Sequence, residues 1–62
     1  MIMVGDVLKG FCNGYFGRDS YGKKRVEGVG TDWVVARDEE FDEPLLATSK
    51  DVHEVLERHK VK

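Results

Sequence analysis

The sequence has one cysteine, one proline and one tryptophan, and after Gly30 it has no glycine at all. A single thiol, Cys12, cannot close an internal disulfide, so a domain this small without a bridge is expected in a reducing compartment such as a bacterial cytoplasm. One cysteine and two histidines also make no structural zinc set. No apolar run exceeds four residues, Met1 to Val4 and Trp33 to Ala36 being the longest, which is far short of a signal core or a membrane span. A soluble chain with no membrane contact is expected. Neither sign of charge dominates: ten Lys and Arg against twelve Asp and Glu leave a net of −2, too weak for wholesale attraction to nucleic acid or membrane. The length of 62 residues excludes more. Such a chain buries roughly 60% of its unfolded surface, folds with a small margin and has no room for a substrate cleft beside its core. Neither catalysis nor a cofactor is expected.

What is present is unevenly distributed. Residues 1 to 30 hold five bases and three acids, whereas residues 31 to 62 hold nine acids and five bases, so the halves carry +2 and −4. All seven glycines fall in the first half and break any helical period there. Val4 to Phe11 reads as a short strand bent by its glycines, and Cys12 to Gly22 as a long loop with neither a period of 2 nor one of 3.6. Lys23 to Val29 and Trp33 to Arg37 are β-branched runs joined by Gly30-Thr31-Asp32, the pattern of a hairpin. Gly28 and Gly30 beside that turn permit strong twist. Asp38 to Glu43 is an acidic connection, and Pro44 opens Leu45-Leu46-Ala47 as an edge strand. From Thr48 the period changes, with Thr48 or Ser49 as a cap and Val52, Val55, Leu56 and His59 at i, i+3, i+4, i+7. That spacing predicts an amphipathic helix of about three turns. The expected fold is α+β and mostly β, a single domain over 1–62 with strands and loops to 47 and a helix over 48–60. Four or five short strands plus a terminal helix belong physically with small Src-homology-3-like barrels, which host peptide, RNA and DNA binding alike.

The segment from Tyr15 to Arg25 interleaves aromatics with bases. Tyr15, Phe16, Arg18, Tyr21, Lys23, Lys24 and Arg25 form the candidate partner-binding set, because exposed aromatics and arginine make protein-binding hot spots. The same composition suits single-stranded nucleic acid, with rings for bases and cations for phosphates. The competing structural reading turns Phe16 and one tyrosine inward and leaves Lys23 and Lys24 as solvated edge residues. The run Asp38-Glu39-Glu40-Phe41-Asp42-Glu43 is a solvated turn or a patch for a basic partner; it lacks the spacing and central glycine of a calcium loop. His53-Glu54 begins like a zinc-protease HExxH, but Glu57 stands where the second ligand belongs, so no metal is expected. Cys12 reads as a small buried hydrophobe.

Gly5-Asp6-Val7-Leu8, Gly14-x-Phe16-Gly17-Arg18-Asp19-Ser20-Tyr21, Arg25-Val26-Glu27 and Asp32-Trp33-Val34-Val35 resemble short uncharacterised proteins encoded by actinobacterial phages and prophages. The resemblance covers residues 4 to 37 and implies a source and a compartment, the infected host's cytoplasm, with no activity attached. Phage accessory proteins of this size commonly bind a host protein. The expected function is therefore noncatalytic binding of a host protein through the 15–25 loop. A single-stranded nucleic acid is the second expectation, and a homodimer built on the Pro44 to Ala47 edge or the helix face is the third.

Overall fold

The computed structural model describes residues 1–17 and 21–61. Four strands, β1 (Val7–Lys9), β2 (Lys23–Val29), β3 (Trp33–Asp38) and β4 (Pro44–Thr48), are followed by one helix, α1 (Val52–Glu57). The strands form one antiparallel sheet in the order β1-β2-β3-β4. The expected hairpin is the centre of this sheet, with Val26 opposite Ala36 and Val29 opposite Val34. Its register shifts between Val26 and Gly28, so Glu27 is the extra residue of a bulge, which bends and twists β2.

One face of the sheet is buried by strict alternation. Leu8, Val26, Val34, Ala36 and Ala47 point inward and pack with Ile2, Cys12, Phe16, Val52 and Leu56. The helix closes that face and is shorter than its sequence pattern, six residues where three turns were expected. Its start also differs, since Asp51 occupies the capping position without a side-chain capping bond. The helix stops where β1 offers a better use for the next residues. The Lys9 N–H donates to the His59 carbonyl at 3.0 Å and the Val61 N–H to the Val7 carbonyl at 2.8 Å, so residues 59–61 run antiparallel along the free edge of β1. Unpaired strand donors and acceptors at that edge outweigh another turn of a short helix. β4 has no such cover among the described residues. The sheet does not close into a barrel among the described residues, and β4 pairs with β3 alone. No helix is long and apolar enough to cross a membrane among the described residues.

Trp33 illustrates how the glycines are used. Its indole lies across the outer side of the hairpin, and a Cβ on Gly30 would sit 2.0 Å from the indole Nε1. Only a residue without a side chain lets the ring approach that closely. Gly30→Ala is accordingly expected to push the indole off the hairpin into water. Because Trp33 is the one tryptophan, a red-shifted emission maximum and a loss of about 1–3 kcal/mol of stability report it directly.

Candidate interaction face

The base of the 11–22 loop continues the β1–β2 ladder. Lys9 faces Lys23, the Gly10 N–H donates to the Gly22 carbonyl at 3.2 Å, and one step further the rings of Phe11 and Tyr21 stack with centroids 5.0 Å apart. Residues two apart along a strand share a face. The outer side of this ribbon carries two cross-strand rows, Val7 with Arg25 and Lys9 with Lys23, and beyond Gly10 and Gly22, both at positive φ, the two chains meet again in a last row, the Phe11–Tyr21 stack. Gly14 supports the last row from beneath: its φ is +73°, and a Cβ there would lie 2.8 Å from the Phe11 ring.

The charges in these rows are unequal in their compensation. Arg25 pairs with Glu39 at 3.2 Å. Lys9 and Lys23 are both exposed and directly opposite, and neither makes an ion pair with a described residue. Like charges facing across a strand pair destabilise it. Next to them Tyr21 is 65% exposed and Phe11 39%. Two ammonium groups without an ion pair among the described residues thus lie two residues along each chain from an exposed aromatic pair.

The seven residues expected to form the partner site are divided by the fold. Tyr21, Lys23 and Arg25 are exposed on this ribbon. Phe16 is buried in the core, and Lys24 is fully buried, so neither reaches a partner while the fold is intact. Lys24 turns inward because it shares the parity of Val26 in β2. Its Nζ donates to the Gly10 carbonyl at 2.9 Å and the Gly22 carbonyl at 3.0 Å and lies 5.9 Å from the Phe16 ring centroid. Burial lowers its pKa from the ordinary lysine value, against the opposing fields of Cys12 and Asp38. Tyr15 is half-buried: its ring packs on the core and its hydroxyl donates to Asp51 Oδ1 at 2.7 Å, tying the loop to the start of α1. The hydroxyls of Ser49 and Tyr15 hold the Asp51 carboxyl below the usual carboxylate range. Arg18 lies outside the described residues, as do Asp19 and Ser20. Phe11 and Lys9 are the members that sequence reasoning missed. The mirror placement of Lys9-Gly10-Phe11 and Tyr21-Gly22-Lys23 about the loop was the signal for both.

The remaining candidates serve the fold. Asp38 is buried and accepts the Glu40 and Phe41 N–H groups, both at 2.8 Å, so the first acid of the acidic run shapes the β3–β4 turn. Arg37 bridges Glu27 at 2.6 Å and the Asp42 carbonyl at 2.9 Å. The depression of about 360 Å³ lined by Arg25, Glu27, Arg37, Asp38, Glu39 and Asp42 is therefore laced by its own ion pairs. His53 reaches the Gly30 carbonyl through Nε2 and docks α1 on the hairpin turn. Cys12 is buried with its thiol toward the Gly10 carbonyl, and burial pushes its pKa up while the nearby Lys24 opposes the shift.

No family model, curated protein or solved structure matches the chain.

Proposed function

We propose that the protein is a noncatalytic interaction module that binds an acidic segment of a host protein across the outer face of the β1–β2 ribbon. The observation that carries this reading is the Lys9–Lys23 pair, opposed and without an ion pair among the described residues, followed along both chains by the exposed Phe11–Tyr21 stack. Two carboxylates of a partner would neutralise the lysines, and an apolar side chain between them would cover the rings. The host setting rests on the likeness to phage-encoded proteins. The finer architecture we infer is Src-homology-3-like but left open at β4 instead of closed into a barrel, supported by the bulge at Glu27, the long loop after β1 and the return of residues 59–61 to β1.

A protein partner is favoured over single-stranded nucleic acid for two reasons. The stacked rings already occupy one another's inner faces, which halves the platform available to bases. Two lysines without an ion pair among the described residues also supply few phosphate contacts in a chain of net charge −2.

The test uses amide chemical shifts of the folded protein, titrated with a Glu- and Tyr-containing peptide and separately with an oligo-thymidine strand. Shifts at Lys9, Phe11, Tyr21 and Lys23 with the peptide, abolished by Lys23→Glu, are the expected result. That variant should raise the thermal midpoint by up to about 5 °C, because it turns a like-charged cross-strand pair into an opposite one. Preferential response to the oligonucleotide, with log K falling by about 0.7 per phosphate contact per log unit of salt, would reassign the face to nucleic acid.

A further inference from the structure

The two edges of the sheet are treated differently: residues 59–61 cover β1, and nothing among the described residues pairs with the outer edge of β4. Which backbone groups β4 leaves open follows from its bonds to β3. The Asp38 N–H donates to the Glu43 carbonyl and the Ser49 N–H to the Asp32 carbonyl, so residues 43, 45, 47 and 49 direct their N–H and C=O groups toward β3. Antiparallel strands alternate this direction with every residue. Leu46 and Thr48 thus present both groups outward, and Pro44 presents its carbonyl. Natural edges are commonly guarded by charge, but Pro44 to Ser49 contains no charged residue, and the Leu46 side chain is 60% exposed.

We infer that this edge pairs with the β4 edge of a second copy of the same chain, antiparallel about a two-fold axis at Leu46. The backbone is self-complementary in that register. The two Leu46 residues exchange both of their hydrogen bonds, and each Thr48 N–H meets the Pro44 carbonyl of the other copy, for four bonds in all. Pro44 lacks the donor that would extend the ladder. On the outer face Leu46 meets Leu46, continuing the apolar strip that Val35 and Trp33 begin beside it.

Charge favours a second copy: an antiparallel pair centred at Leu46 brings the chain just past β4, with Lys50 exposed, beside the turn before β4 of the other copy, where Glu40, Asp42 and Glu43 are exposed. The dimer would be one continuous eight-stranded sheet, with the two β1–β2 ribbons at its far ends. Two binding faces on one particle raise avidity toward a multivalent partner without any new contact.

The experiment is sedimentation equilibrium of the whole chain over about 10 µM to 1 mM, a range that spans weak association. The wild type is expected to move from monomer toward dimer, with the Leu46 and Thr48 amides gaining protection from hydrogen exchange as concentration rises. Leu46→Lys places two ammonium groups face to face at the axis and should weaken association by at least about 100-fold. Because Leu46 is exposed, that variant should keep the wild-type thermal transition. Lys50→Glu removes the cation that faces the other copy's acidic turn and should weaken the dimer by about 10-fold at low salt and less at high salt. A chain that stays monomeric across the range overturns the inference. So does an association that Leu46→Lys leaves unchanged, or protection that develops on β1 in place of β4.

Discussion

Lys24→Ala is expected to abolish the cooperative thermal transition at neutral pH, whereas Lys24→Met is expected to keep it. Lys24 is the largest fully buried side chain, and its ammonium joins the Gly10 and Gly22 carbonyls at the base of the long loop. Alanine removes the stem as well as the charge. It leaves a cavity in a close-packed interior, at about 2–5 kcal/mol, and takes the ammonium donor from the Gly10 carbonyl, at about 1–3 kcal/mol, while the Gly22 carbonyl keeps the Gly10 N–H. Small domains hold about 0.05–0.15 kcal/mol per residue, so these losses together reach the whole stability of a chain this short. Methionine fills the stem's volume, and although it leaves the Gly10 carbonyl short, it also removes a desolvated charge, a compensation seen when buried ions are replaced by apolar residues. The charge should be visible in the pH dependence too. Lys24 titrates lower in the folded state than in the unfolded chain, so the unfolded chain binds more protons between the two values. The stability of the wild type relative to Lys24→Met should therefore rise as pH climbs from the folded-state pKa toward about 10.4. Taking the difference between the two proteins limits the opposing effect of Cys12, whose raised pKa makes folding less favourable as the unfolded thiol ionises. Denaturant midpoints from pH 7 to 10 measure it, and parallel curves for the two proteins would show that the buried ammonium carries no such penalty.

Leu56→Ala should cost about 2–5 kcal/mol. Leu56 is fully buried with Val52 in the core, and α1 is only six residues long. A helix of that length has almost no stability of its own, so its burial on the sheet is what forms it. The same change removes the lid from the inner face and loosens the link from α1 through Asp51 to Tyr15. Urea denaturation with tryptophan emission reports the result. An unchanged midpoint would mean that the helix contributes nothing to the core. A peptide of residues 48–62 should be largely disordered by circular dichroism, for the same reason.

Much of the architecture is written in local patterns. The β-branched runs on either side of Gly30-Thr31-Asp32 specify the central hairpin, because alternation over several residues commits one face to the core. Pro44 at the first position of β4 and the Val52, Val55, Leu56 stripe follow from rules that act within a few residues. The inward direction of Lys24 was legible as well: Val26 two residues on has to be inside, and Lys24 shares its side of the strand. Reading Lys23, Lys24 and Arg25 as one basic cluster concealed it. The end of α1 was not legible, since His59 suits an apolar stripe at i+7 and nothing nearby says that its carbonyl accepts the Lys9 N–H fifty residues earlier.

By itself, then, the sequence determined a β-rich fold with one glycine-rich half, a twisted central hairpin and a terminal amphipathic helix, since turn chemistry and hydrophobic period act over short distances. Only the tertiary structure decided which loop residues face water. Phe16 and Tyr15 go to the core while Phe11 and Tyr21 meet on the ribbon, because the loop's two ends are brought together by the β1–β2 ladder and the Lys24 ammonium. It likewise decided that one edge of the sheet is covered and that the other has no partner among the described residues. Edge pairing is settled by which distant segment can reach unpaired backbone groups, and no local pattern carries that information.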